Sequence, residues 1–341
     1  MHAEPPPPPQ QFKNRKTGLI IFGVFTILAG CVCALFVPLM LLAPKMAART
    51  GAPQTPPAVM IMPALMYSAI AIDFVWLGIG SLMARRWART LLAIQSWTAF
   101  AWGLLALCFI AILAPTMKQA VATATPPNQP PLSDAAQTGM LIAVFSFCGF
   151  FFVVLPLVWA LFYSGRNVKA TSEALDPAPR WTDRCPTPVL AASFWLAFGA
   201  LGMLATTAYG VAPFFGILLS GILARVFYLV VAAIWVCCAW ALYRLDRRGW
   251  WIICAALVLF ALSTLATFLR HDLSEMYTSM GYSADYVAKL RAFSDSRFTV
   301  WSTLVWTILS LGYLLYIRRF FAASDSASSQ KAAAAPPTRH L

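Results

Sequence analysis

The residue best placed to do chemistry in this sequence is Asp73, an acid inside an otherwise apolar run. It lies 12 positions before Arg85. At about 1.5 Å of helical rise per residue, that is about 18 Å from the basic turn, near the middle of a bilayer. An aspartate at that depth costs about 2.5–3.5 kcal/mol to insert, so it must face a protein interior with a partner or a wet cavity. Two readings stand side by side: a proton or cation site, or a buried structural hydrogen bond. Arg225 lies 19 positions before Arg244, near the opposite end of its own run. Its depth differs from that of Asp73 by about 10 Å on the same rise. Snorkelling to the headgroups is therefore preferred over an ion pair with Asp73.

Other chemistry finds less support. His271 and Glu275 are four apart, on one face if helical, but two ligands do not make a metal site. Met46, Met60, Met62 and Met66 cluster at one end of an apolar run without a neighbouring His or Cys, so ordinary apolar filling outranks soft-metal capture. Of the eight Cys, seven fall in apolar runs, where they act as small packing residues; Cys185 stands in a polar loop. There is no P-loop, GxGxxG after a strand, HExxH or GxSxG. No enzyme, cofactor or metal is expected.

The elements that must position these residues follow from composition. The chain is 60% hydrophobic and 11% charged, with a mean hydropathy of +0.72. Runs of about 20 apolar residues match the hydrocarbon core of a bilayer. The reading is an all-α, polytopic helical membrane protein of about eight transmembrane helices. Residues 1–16 form a Pro-rich disordered tail and 17–163 a first four-helix half. Residues 164–188 are an ordered linker loop. Residues 189–321 are a second four-helix half with an outer loop at 270–297, and 322–341 a disordered tail. Pro156 is a candidate kink. Ser283 is a candidate cap for a short amphipathic helix carrying Tyr286, Val287, Leu290 and Phe293 on one face. In the long run Val189–Leu242 the break belongs at Tyr209–Pro213, and Pro213–Ser220 either extends the next span or lies along the interface.

The net charge of +13 does not point to nucleic acid, because Lys and Arg sit in short clusters between apolar runs, on alternate loops. Seventeen of the 25 fall on the side of both termini and the central loop, and seven on the other. That asymmetry predicts cytoplasmic termini. The halves also look alike. Ala71-Ile72 precedes Arg85-Arg86 by the distance that separates Ala233-Ile234 from Arg247-Arg248, and Leu157-Val158-Trp159 recurs as Leu304-Val305-Trp306. A 4+4 parallel duplication and convergence under one topology rule both explain this.

The central loop, Tyr163–Leu190, is the long charged, Pro-containing break between the halves. Asp176-Pro177, Cys185-Pro186 and Thr187-Pro188 bias their first residues to extended geometry. Arg180 and Arg184 are expected to pair with Glu173, Asp176 and Asp183 in a compact cap, anchored by Trp181. Arg180, Trp181, Asp183, Arg184 and Cys185 are the candidate contact surface. The stretch Val168-Lys169-Ala170-Thr171, Glu173, Asp176-Pro177, Arg180 to Pro186 and Pro188-Val189-Leu190 resembles an uncharacterised family of bacterial multi-pass membrane proteins. The resemblance implies a bacterial cytoplasmic membrane and no assigned activity. That family often carries Cys where this chain has Ser172, which weakens any pairing with Cys185. The expected function is a non-catalytic membrane scaffold or sensor with the bilayer as partner and a protein partner at the central loop or the outer loop 270–297. The alternative is a small-solute or ion transporter or channel using Asp73.

Overall fold

The computed structural model describes residues 12–50, 57–124, 133–291 and 296–333. The Pro5–Pro9 run, Phe293 and the last eight residues lie outside that set. Eight helical segments among the described residues are long and apolar enough to cross a bilayer: Lys16–Met46, Met60–Leu82, Arg86–Lys118, Asp134–Ser164, Thr187–Tyr209, Ile222–Tyr243, Arg247–Phe268 and Thr299–Phe321. Their outer faces carry exposed Leu35, Ile72, Leu259 and Trp301, a surface that water would reject and lipid tails solvate. The protein is a multi-pass, all-α membrane protein.

In chain order the helices are α1 (Lys16–Thr50), α2 (Pro57–Leu82), α3 (Arg86–Ala124), α4 (Asp134–Gly149), α5 (Leu155–Ser164), α6 (Arg166–Leu175), α7 (Thr187–Thr206), α8 (Ile222–Tyr243), α9 (Arg247–Phe268), α10 (Leu273–Ser279), α11 (Ala284–Arg291) and α12 (Ser296–Ala333). The last corrects the sequence boundary. The helix runs past residue 321 to Ala333, through an Ala/Ser-rich stretch that was expected to be disordered.

The chain divides into two compact units. The first holds the residues up to Val32, Ala71–Ile112 and Gly139–Asp183. Its α1 and α2 approach so closely that a Cβ on Gly23 would meet the carbonyl of Gly78, and one on Gly78 that of Gly23. Ser81 ties three helices. Its hydroxyl donates to the Leu19 carbonyl (2.9 Å) and accepts from Tyr163 Oη (2.7 Å), and all three residues are buried. Phe22 stacks on Phe162 (centroids 4.2 Å) and meets the edge of Trp159 (4.7 Å). Between α4 and α5 the chain widens into a π turn, Phe150–Val154, immediately before Pro156. The expected kink therefore takes the form of a π bulge, which accommodates the missing N–H of the proline. Across from it, Gly103 of α3 lies so near the Phe152 carbonyl that any Cβ would collide.

The second unit holds Cys33–Ile70, Leu113–Thr138 and everything from Arg184 onward. Ser193 Oγ of α7 donates to the Ala239 carbonyl of α8 (2.6 Å), Trp250 Nε1 of α9 to the Leu314 carbonyl of α12 (2.8 Å), and Tyr313 Oη to the Pro188 carbonyl (2.8 Å). Sequence reasoning missed one element. Val211–Phe214 and Ile217–Ser220 are antiparallel strands β1 and β2, joined by Phe215-Gly216 at φ 42° and 90°. Positive φ at both central residues is the type I′ signature of a two-residue hairpin. The stretch does not extend α8, which begins at Ile222. The backbone N–H groups of its turn donate to buried hydroxyls of α9, Phe215 to Ser263 Oγ (3.0 Å) and Gly216 to Thr267 Oγ1 (3.1 Å).

Candidate functional site

The central loop is folded. Arg166 to Leu175 form α6 after Gly165, whose extended backbone (ψ 136°) separates it from α5. Thr171 and Ser172 are buried, and Thr171 Oγ1 accepts the N–H of Arg15 (3.0 Å). Pro177 stops α6, leaving Asp176 at its end with only 3% of the residue exposed.

A buried carboxylate must collect donors, and Asp176 does. It accepts from Arg180 Nε (3.0 and 3.1 Å), from Arg180 Nη2 (2.5 Å) and from the backbone N–H of Arg86 (3.2 Å), with Arg85 Nη1 at 3.7 Å. The Arg180 hydrogen bonds, opposed by burial and aided by the Arg86 N–H and the charges of Arg180 and Arg85, hold its carboxyl below the usual carboxylate range. Arg86 then bridges outward: Nη2 to Glu173 (3.4 Å), Nε to Asp183 (3.5 Å) and Nη1 to the Pro177 carbonyl (3.3 Å). Arg89 Nη1 donates to the Tyr163 carbonyl (3.2 Å). Asp183 Oδ2 also accepts the N–H of Arg180 (2.8 Å), closing the short 3₁₀ turn Trp181–Asp183.

The expected cap therefore exists in the first unit with a different set of cations. Arg85 and Arg86 of the α2–α3 turn join Arg180 around the acids, where Arg180 and Arg184 were expected. Arg184 and Cys185 belong to the second unit. Cys185 is 5% exposed and burial pushes its thiol up to about 11, which corrects its reading as a contact residue: it is a packing thiol. Trp181 remains on the surface at 41% exposure.

The structure supplies one signal for the missed arginines. The α2–α3 and α8–α9 turns have the same backbone. Ala84 N bonds the Ser81 carbonyl and Arg85 N the Gly80 carbonyl; Leu245 N bonds that of Leu242 and Asp246 N that of Ala241, all at 2.9 Å. Ala84 and Leu245 sit at φ 52° and 58°, the left-handed position of a Schellman closure. This pairs residue 84 with 245, one position off the register suggested by the paired arginines. Burial agrees: Ala71 with Ala232, Leu77 with Cys238, Ser81 with Leu242. In that register Arg85 stands where Asp246 caps α9 through the Arg248 N–H (2.8 Å). A basic residue in a cap position means that the cap is supplied from elsewhere.

Asp73, half-buried on α2, takes a hydrogen bond from Gln95 Nε2 of α3. Gln95 Oε1 is buried with no partner. Arg225 is exposed on the first turn of α8 beside Gly210. His271 Nδ1 lies 2.7 Å from Glu275 Oε2, and Nε2 lies 3.2 Å from the Gly216 carbonyl, so this pair pins the hairpin turn to α10. A cavity of about 340 Å³ in that loop is lined by Ser274, Glu275, Thr278, Ser279 and Val287. Ser283 Oγ accepts the Tyr286 N–H (3.4 Å), which is the expected cap of α11. Among the described residues no group of three or more His, Cys, Asp or Glu side chains is arranged to hold a metal ion. Compared with known protein families, curated proteins and solved structures, the chain matches none.

Proposed function

We propose that this protein is a non-catalytic component of a bacterial cytoplasmic membrane, with both termini and the central loop on the cytoplasmic side. There it presents the folded loop, with Trp181 exposed on its surface, to a protein partner. The observation that carries this reading is the burial of Asp176 among Arg180, Arg85 and the Arg86 N–H. A tether between two membrane halves needs no such core, whereas a surface that must keep one shape does. The bias of 17 against seven Lys and Arg supports the orientation, and the matching Schellman turns support an internal duplication. The test is a photoreactive residue at position 181 in the full-length protein in native membranes. A discrete adduct with one protein, lost in Asp176→Ala, is expected. Adducts with lipid alone, or an adduct indifferent to Asp176→Ala, would defeat the reading.

A second reading, a small-solute or ion transporter or channel using Asp73, is favoured by the unpartnered Gln95 oxygen beside that acid. It requires water at Asp73. A thiol at position 73 that resists small aqueous reagents from both sides would count against it.

A further inference from the structure

We propose that Asp73 is a mid-membrane proton-binding site, in which the neutral carboxylic acid donates its proton to Gln95 Oε1 while accepting from Gln95 Nε2. The inference rests on the reading of α2 as a membrane span, and not on transport.

Three observations converge. First, Gln95 Nε2 already donates to Asp73 Oδ2, so the amide and the carboxyl face one another. Second, Gln95 Oε1 is buried with no donor, a costly arrangement in a medium without water. A carboxylate has no hydrogen to offer that oxygen; a carboxylic acid has one O–H. A single proton on Asp73 thus satisfies the orphaned acceptor and closes a paired acid–amide ring. Third, among the described residues no Lys, Arg or His nitrogen pairs with Asp73, in contrast to Asp176 with its arginines. A carboxylate held by one neutral amide N–H at this depth has little to offset its lost hydration.

The ligand is a proton and not a metal cation. An N–H already points at one carboxyl oxygen, the position a cation would need, and among the described residues no group of three or more His, Cys, Asp or Glu side chains is arranged to hold a metal ion. Proton binding leaves the bond count balanced: the O–H formed on Asp73 is the donor that Oε1 lacks, and no other group changes charge.

The experiment uses the full-length protein in phosphatidylcholine vesicles at neutral pH. The infrared difference between the parent and Asp73→Asn should contain the carbonyl stretch of a neutral carboxylic acid. In Gln95→Leu that band should persist and move to higher frequency, because its acceptor is gone. A hydrophobic carbodiimide, which requires a protonated carboxyl, should modify the unaltered protein at Asp73 by peptide mapping, independently of how any variant folds. Carboxylate bands in the difference, a neutral-acid band unmoved by Gln95→Leu, or absence of the carbodiimide adduct at Asp73 would each overturn the proposal. Failure of the membrane reading is seen separately, as a polypeptide that stays monomeric without detergent.

Discussion

The α2–α3 and α8–α9 turns close with one backbone geometry and cap the next helix with carboxylates of different origin. In the second turn Asp246 caps α9 from within, two residues away along the chain. In the first, Arg85 holds the corresponding place, and the carboxylate that meets the α3 N-terminus comes from Asp176, 90 residues later. The local cap makes its helix start self-sufficient. The distant cap makes the start of α3 and the fold of the central loop a single event, because one buried carboxylate serves both. The small-residue contacts are swapped in the same way: Gly80 faces Ala88 in one turn, and Ala241 faces Gly249 in the other. Similar chain, differently connected, yields a bare turn in one place and a docked loop in the other.

Asp176→Ala should break the comparison hardest. It strips a buried anion from Arg180, Arg85 and the Arg86 N–H, and the expected cost is about 3 kcal/mol, read as a lower unfolding midpoint in detergent and earlier protease cleavage within 164–188. The equivalent change in the other turn, Asp246→Ala, removes one exposed cap and should cost about 1 kcal/mol. Equal losses would mean that the two carboxylates do the same job. Restoring a local acid sharpens the point: Arg85→Asp in the Asp176→Ala background should recover about 1 kcal/mol by capping α3 in place, without reordering the loop.

Acid offers a reversible version. The Asp176 carboxyl titrates lower folded than unfolded, so its stabilisation is full above the ordinary aspartate range of about 4. It is lost as pH falls through the depressed folded value. Protease protection of the loop should therefore persist down to about pH 4 and fail below it, and Asp176→Asn should remove that step. The smallest effect belongs to the rim: Lys169→Ala, which removes an exposed pair with Glu173 (3.9 Å), should change stability by less than about 0.5 kcal/mol.

Much of this fold was legible because bilayer physics writes it in long strokes. Twenty apolar residues between basic clusters have few alternatives, and a Ser before an amphipathic stretch caps a helix, as Ser283 does. Partnering was less so. Asp73 demanded a partner, but nothing in the order of residues singled out Gln95, because that contact depends on the rotation of α3 about its axis. The hairpin escaped for a local reason. Its turn is Phe215-Gly216 rather than Asn-Gly, and Ile217–Leu219 is as apolar as the α8 residues that follow, so no change of period marked it. The arginines of the α2–α3 turn were legible as topology signals and illegible as ligands of the loop: charge counting records where cations lie, not whom they meet.

The π turn at Phe150–Val154 leaves its own mark on motion. The Phe152 carbonyl projects into the notch that Gly103 provides, and the residues one helical turn away on the same face of α3 are Ala99, Phe100, Ala106 and Leu107. Sliding α3 by one turn along this neighbour would put a side chain where only a glycine leaves room for the oxygen. The two helices are therefore held in register like a pawl in a ratchet tooth.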